Sequence, residues 1–186
     1  EAIIEAGIKR VVFALNDPDP RVSGGGAEIL KRSGLKVEKG ILETEAHSLN
    51  YGFIKRLTTG VPQFSLKFGA TSDGRLTMEN SASRWITGSL ARRFGHMLRS
   101  THDAVLVGSK TAIIDNPRLD CRLGGMAETF GQQPIRMVLD RSLSIKPDSV
   151  LVATANKLAP TWVFTSSKAD TEKVKKLRES GVKTIV

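Results

Sequence analysis

Val11-Val12-Phe13-Ala14-Leu15 is followed by Asn16-Asp17-Pro18-Asp19-Pro20, by Ser23-Gly24-Gly25-Gly26 and, past Gly34, by Leu35-Lys36-Val37. The first run is short, apolar and β-branched, which reads as a buried strand. Two prolines and the residues before them exclude helix from the loop that comes next. The glycines lead into a helix running to about Ser33, and Gly34 stops it before a second strand begins at Leu35. Strand, helix, strand predicts a parallel pair, because parallel neighbours need a crossover of this length.

Working outward, residues 1–8 read as the end of a helix closing near Gly7. Residues 43–57 predict one amphipathic helix with Ala46, Leu49, Phe53 and Leu57 on one side. Thr58-Thr59-Gly60-Val61-Pro62 breaks it, and a domain boundary is expected around residues 55–61, giving domains 1–56 and 57–186. Phe64 to Ala70 alternates and predicts the first strand of the second domain. A loop from Ala82 leads into a helix reaching Leu98. Further strands are expected at Ala104–Gly108, Ile135–Asp140, Thr161–Thr165 and Val182–Val186, with a short helix or turn over Thr111–Asp115 and a basic helix over Ala169–Glu179. The class is α/β.

The 186 residues are 40% hydrophobic and 25% charged, an ordinary globular composition that excludes no enzyme class. No apolar run approaches the roughly 18 residues that span a membrane. The start lacks a basic leader, an apolar core and an initiator Met, so a fragment is expected rather than a secreted precursor. A single cysteine, Cys121, cannot form an internal disulfide and fits a reducing, cytoplasmic setting. It also cannot supply a multi-cysteine zinc site, so no metal is expected on this chain. The net charge of +9 points to an anionic partner, nucleic acid or a phosphorylated small molecule. Aromatics at 5% argue against a base-stacking single-strand binder, and much of the charge reads as solvated surface.

The glycines at 24–26 do not make a dinucleotide fingerprint, because a proline-rich loop intervenes and the spacing is wrong. They read as a helix start. His47, His96 and His102 are scattered, and a spacing of six keeps the last two off one helical face, so all three read as packing or surface residues. No Ser/His/Asp constellation follows from spacing.

Five blocks, taken in order, are more specific. They are Lys67 to Arg75 (KFGATSDGR), Ser83-Arg84-Trp85-Ile86-Thr87-Gly88, Leu98 to Ala104, Val107-Gly108-Ser109-Lys110-Thr111 continuing to Asp115-Asn116-Pro117-Arg118-Leu119-Asp120-Cys121-Arg122, and Pro134 to Asp140. In this order they resemble the reductase domain of the bifunctional riboflavin-biosynthesis enzymes. Glu1 to Val12, Asp17-Pro18-Asp19-Pro20-Arg21-Val22 and Leu49-Asn50-Tyr51-Gly52-Phe53 resemble the end of the same enzymes' deaminase domain.

The resemblance implies the end of a cytidine-deaminase-like domain followed by a dihydrofolate-reductase-like domain. It implies NADPH as cofactor, touched by Ala70, Trp85, Thr111 and Asp115, and a phosphorylated ribosylaminopyrimidine as substrate, held by Ser83, Arg99, Leu119 and Arg122. Lys67 and Asp115 take the catalytic places. The family's deaminase zinc motif, His-x-Glu and then a Pro-Cys with a second Cys, has no counterpart in this chain, so zinc belongs to a preceding part of the parent protein. A homo-oligomer is implied, with neither nucleic acid nor membrane as partner. Two positions depart from the pattern. Arg141 stands where some relatives bring a small polar residue to the cofactor, and Asp19 stands where the family often has Asn.

Read on residues alone, Lys67 could be a strand-edge surface lysine, Trp85 core, Asp115 a turn residue, and Ser83, Arg99 and Arg122 surface. A basic nucleic-acid-binding module and a non-catalytic assembly fragment remain the rival readings.

Overall fold

The computed structural model describes residues 1–22, 24–76, 86–123 and 133–186. The chain divides into two compact units, Glu1–Leu66 and Lys67–Val186.

In the first unit, α1 (Ala2–Glu5) leads to β1 (Arg10–Phe13), α2 (Gly25–Arg32) and β2 (Lys36–Lys39). β1 and β2 pair in parallel, Arg10 opposite Lys36 and Phe13 opposite Lys39, as strand–helix–strand predicts. That register sets two cations side by side, and Glu38 resolves the conflict. It accepts from Arg10 Nη2 at 2.5 Å and pairs with Lys36 Nζ at 2.9 Å, which pulls its carboxyl down to about 2. α2 ends in a Schellman motif: Gly34, at φ 83°, donates to the Lys31 carbonyl and Leu35 to that of Leu30. Only glycine adopts such a φ without cost.

The expected helix over 43–57 is two helices, α3 (Glu43–Leu49) and α4 (Tyr51–Thr59). Asn50 is the cause. Its side-chain amide donates to the Ala46 carbonyl at 2.8 Å, and its own main chain leaves helical geometry at φ −101°, ψ 10°. Asparagine competes with the backbone in this way and favours helix ends. The apolar stripe along both helices stays open: Leu49 is 87% exposed and Phe53 51%.

The expected strand over Phe64–Ala70, which runs from the first unit into the second, does not form. The segment has no ladder partner among the described residues, and Phe64, Leu66 and Phe68 are exposed. Alternation marks a surface fit for a sheet but supplies no neighbour to pair with. Helix α5 (Ser89–Ser100) is followed by β3 (Ala104–Gly108), α6 (Ser109–Asp115), β4 (Ile135–Leu139), α7 (Val150–Ala153), β5 (Thr161–Phe164), α8 (Thr171–Glu179) and β6 (Lys183–Ile185). The four strands form one parallel sheet in the order β3-β4-β5-β6. The protein is therefore mixed α/β with parallel sheets.

The core lies on one face of this sheet, where Val138 and Val163 are 0% exposed and meet Leu151, Val152, Leu177 and Val182. Asp140 ends β4 by turning its buried carboxylate back onto the Ile145 amide (2.8 Å) and the Ser144 hydroxyl (2.9 Å). Asp170 caps α8, accepting from the Glu172 and Lys173 amides at 2.8 and 3.2 Å. No helix among the described residues is long and apolar enough to cross a membrane.

Candidate functional site

The carboxyl end of β3 runs directly into α6, and α6 stops at Asn116, which takes the left-handed conformation ahead of Pro117. The chain then crosses the second unit as Arg118-Leu119-Asp120-Cys121-Arg122. Leu119 is again left-handed, at φ 54°, with its side chain in the core, so what it offers a ligand is main chain. Two clamps hold this segment. Gln133 takes the Cys121 amide on its Oε1 at 2.7 Å and donates from Nε2 to the Cys121 carbonyl at 3.0 Å. On the other side α5 is tied to it by His96 and Arg99, which lie one turn apart on one helical face.

Arg99 and Arg122, separated by more than twenty residues in sequence, meet at one imidazole nitrogen. The Arg122 amide donates to His96 Nδ1 at 3.3 Å, and Arg99 Nη1 lies 3.3 Å from the same atom. Arg99 Nη1 also donates to the Asp120 carbonyl at 3.0 Å, and the Cys121 thiol donates to the His96 carbonyl at 3.4 Å. Asp120 is buried. Its Oδ2 accepts from Arg118 Nε at 3.0 Å and pairs with Nη2 at 2.9 Å, while Arg122 Nε stands 3.7 Å from Oδ1.

Beneath the segment lies Arg136, 0% exposed on the core side of β4. Its Nη1 donates to the Thr154 hydroxyl at 2.8 Å and the Arg118 carbonyl at 3.3 Å. Its Nη2 faces the Thr161 hydroxyl (2.7 Å) and the carbonyls of Ala159 (2.8 Å), Thr154 (3.0 Å) and Leu151 (3.4 Å). Burial lowers the pKa of Arg136, Asp120 partly offsetting it, and burial likewise leads the lowering at Arg99. A guanidinium stays charged at neutral pH through shifts of this kind. Four arginines thus gather around one carboxylate, and two of them, Arg118 and Arg122, are exposed. The arrangement carries a surplus of positive charge open to an anion.

His96 sits inside this field. Burial first, and then the charges of Arg99 and Arg122, hold its pKa below the ordinary 6.5. The unfolded chain therefore takes up a proton before the folded one does. Stability from this group is fully present above the ordinary value and is lost as pH falls beneath it. The urea midpoint should drop between about pH 7.5 and about pH 5. It should drop less in His96→Gln, and an equal drop would remove His96 from the account.

The other expected site residues lie as follows. Thr111 and Asp115 are exposed on α6, just past the carboxyl end of β3. Next to them the main chain at Gly108 is open, since a Cβ there would meet nothing within 4 Å. Lys67 is exposed, and its stem passes Gly95 of α5, whose Cβ would lie 3.8 Å from Lys67 Cε. Gly95 is one turn before Arg99, so Lys67 and Arg99 border the same helix face. Ala70 is exposed, while Ser83 and Trp85 fall outside the described residues. Arg141, exposed after β4, gives its carbonyl to the Thr165 hydroxyl at 3.0 Å. Asp19, in the first unit, is 8% exposed and bound by Arg21, which holds its carboxyl below the usual range. Among the described residues, no three His, Cys, Asp or Glu side chains are grouped to hold a metal ion.

Sequence reasoning missed His96, Arg118, Asp120 and Arg136. One signal was available for the last: an arginine at an inward position of a buried strand is rare unless its donors are satisfied.

A family model for the RibD C-terminal domain matches residues 62–186. The chain is 39% identical over 183 residues to the riboflavin biosynthesis protein RibD of Bacillus amyloliquefaciens, covering 98% of this chain and 48% of that one. It is 40% identical to RibD of Aquifex aeolicus, covering 100% of this chain and 50% of the relative. The chain therefore spans about half the length of the curated relatives it matches. Among solved structures, Acinetobacter baumannii RibD superposes with a TM-score of 0.82 at 34% identity, over 99% of this chain and 49% of that one. A Thermotoga maritima diaminohydroxyphosphoribosylaminopyrimidine deaminase/5-amino-6-(5-phosphoribosylamino)uracil reductase gives a TM-score of 0.78 at 33% identity, over 98% of this chain and 55% of that one. The parallel sheet, the ordered blocks that build its loops and these matches lead to one conclusion: the chain belongs to the RibD C-terminal domain family.

Proposed function

We propose that the second unit is the reductase part of a riboflavin-biosynthesis enzyme and reduces the ribosyl group of 5-amino-6-(5-phosphoribosylamino)uracil, the compound whose reductase is named in its Thermotoga relative, to its ribityl form. The observation that carries this reading is the placing of the Arg99 and Arg122 guanidiniums against one residue, Asp120, the first at its carbonyl (3.0 Å) and the second at its buried carboxylate (3.7 Å). A phosphate dianion suits that surplus charge, because a guanidinium meets its oxygens with paired hydrogen bonds. Ser83 and the Leu119 main chain complete the substrate side. The fold read for this unit is dihydrofolate-reductase-like.

NADPH is the proposed cofactor, and it supplies the hydride when bound. The residues present fit such a group. Thr111 lies in the first turn of the helix that follows β3, at the carboxyl end of a parallel strand where open α/β sheets take nucleotides, Asp115 closes the same helix, and the open main chain at Gly108 allows close approach. Ala70 and Trp85 are assigned to the same cofactor. Reduction consumes one proton for each hydride, and opening of the sugar places that proton on its ring oxygen. Lys67 and Asp115 are the side chains assigned to the catalytic places. The rest of the protein's contribution is to position the reactants.

The first unit is read as the end of a cytidine-deaminase-like domain, whose zinc ligands would lie in another part of the parent protein. The whole protein is read as a cytoplasmic homo-oligomer that deaminates the pyrimidine before reducing it.

The cofactor assignment is tested by tryptophan fluorescence in the intact protein. The chain has two tryptophans, and Trp162 on β5 lies under Lys183 Nζ at 4.3 Å. Trp162→Phe leaves Trp85 as this chain's reporter. NADPH should quench it at lower concentration than NADH, and an equal response to both would contradict the cofactor choice.

A further inference from the structure

Among the described residues three buried polar atoms lack a hydrogen-bond partner, Asp120 Oδ1, Arg136 Nε and Ser149 Oγ, and the first of them lies beside the proposed phosphate pair. Asp120 is 1% exposed, and its Oδ1 has no hydrogen-bond partner among the described residues. A buried carboxylate is costly unless its oxygens are met. Oδ2 is fully engaged by Arg118, with contacts at 3.0 and 2.9 Å. Oδ1 instead faces Arg122 Nε at 3.7 Å, an ion-pair distance rather than a hydrogen bond. The carbonyl of the same residue takes Arg99 Nη1 at 3.0 Å. One residue therefore touches both arginines of the proposed clamp, one through its side chain and the other through its main chain. The groups around it are Arg99 and His96 of α5, Arg118 and Arg122 of its own segment, and Arg136 of β4.

We propose that Asp120 is a positioning residue for the anion clamp: its carboxylate holds the Nε edge of Arg122 so that the outer nitrogens face the phosphate. The inference rests on the substrate reading above. Two forces compete here, and they predict opposite signs. A carboxylate near a bound phosphate repels it, so a bystander Asp120 weakens binding and its removal tightens it. A positioning Asp120 strengthens binding by fixing a guanidinium that otherwise swings on a flexible stem in solvent, and its removal weakens it. Orientation wins if the fixed guanidinium gains more than the second charge costs. The near-absence of exposed surface on Asp120 favours that outcome, because its charge is already largely spent on Arg118.

The test is Asp120→Asn in the intact protein, which keeps the shape and removes the charge. KM is measured for the phosphorylated substrate and for the same compound without its phosphate, in wild-type and Arg122→Ala backgrounds. The expected result is a rise in KM of about tenfold for the phosphorylated compound, equivalent to one lost charge-assisted contact. KM for the comparator and the affinity for NADPH should not change, and Asp120→Asn should add nothing once Arg122 is alanine. A fall in KM would make Asp120 a repelling bystander. An equal rise on both compounds, or the same factor in both backgrounds, would make its role structural. Should Asp120→Asn not fold, Asp120→Glu keeps the charge and displaces it: a rise in KM for the phosphorylated compound alone, absent once Arg122 is alanine, supports positioning, and an unchanged KM or an equal rise on both compounds overturns it. If Arg122→Ala itself leaves the preference for the phosphate intact, the substrate reading fails, and the role of Asp120 fails with it.

Discussion

Arg136→Ala is expected to destabilise the second unit by about 3–5 kcal/mol. Two losses combine. The side chain is 0% exposed, so its removal leaves a cavity between β4, α7 and β5 that the packed neighbours fill only in part. The carbonyls of Leu151, Ala159 and Thr154 and the hydroxyl of Thr161 also lose a charge-assisted bond, although each carbonyl keeps a second donor, from the Thr161 hydroxyl, the Asn156 amide and the Leu158 amide respectively. Hydrogen bonds to a charged group contribute about 1.5–3 kcal/mol. Arg136→Lys should recover little, since one ammonium cannot reproduce a planar fork that meets Thr154, Thr161 and Arg118 at once. Urea unfolding followed by Trp162 fluorescence measures both variants. A loss below about 1 kcal/mol for Arg136→Ala, the size of an ordinary surface change, would contradict the caged reading.

Arg122→Ala is expected to raise KM for the phosphorylated substrate about tenfold or more, the equivalent of about 1.5–3 kcal/mol for one charge-assisted contact. Arg122 is exposed and its loss leaves no cavity, so the stability change should be limited to the lost 3.7 Å pairing with Asp120, about 1 kcal/mol or less. NADPH affinity should stay nearly constant, because Thr111 and Asp115 lie on α6, before this segment. The control is the substrate without its phosphate, which wild type and variant should reduce about equally poorly. A loss of the same factor on both compounds would make Arg122 a residue of the fold rather than of the phosphate.

Much of the fold was legible from the sequence, and the reason is visible in particular elements. Ala104–Gly108, Ile135–Leu139 and Thr161–Phe164 are short β-branched or apolar runs between turn residues, which is how strands of a buried parallel sheet read. The two failures share a cause. Residues 43–57 and 64–70 have the right periodicity, yet Asn50 diverts the helix backbone and Phe64–Ala70 finds no ladder partner among the described residues. Periodicity reports which face could be buried and says nothing of local competition or of neighbours. α7 went unread because four residues, Val150–Ala153, carry too little pattern to separate helix from strand.

The site was legible only in part, and only through family resemblance. Arg99 and Arg122 belong to matched blocks, but on residues alone they read as surface. What joins them lies across 26 positions of sequence, in the contact between the Arg122 amide and His96. No spacing rule reaches that far. The +9 charge pointed to an anion without placing it, and the structure gathers Arg99, Arg118, Arg122 and Arg136 around Asp120.

Turnover decides whether this chain carries the reductase. Intact protein is mixed with NADPH and 5-amino-6-(5-phosphoribosylamino)uracil, and the loss of reduced nicotinamide is followed by its near-ultraviolet absorbance while the sugar product is identified by mass. One NADPH should be consumed for each ribityl product formed, with Lys67→Ala and Asp115→Ala both slow. Substrate-independent loss of NADPH, or a product with its ribosyl group unreduced, would contradict the reductase assignment.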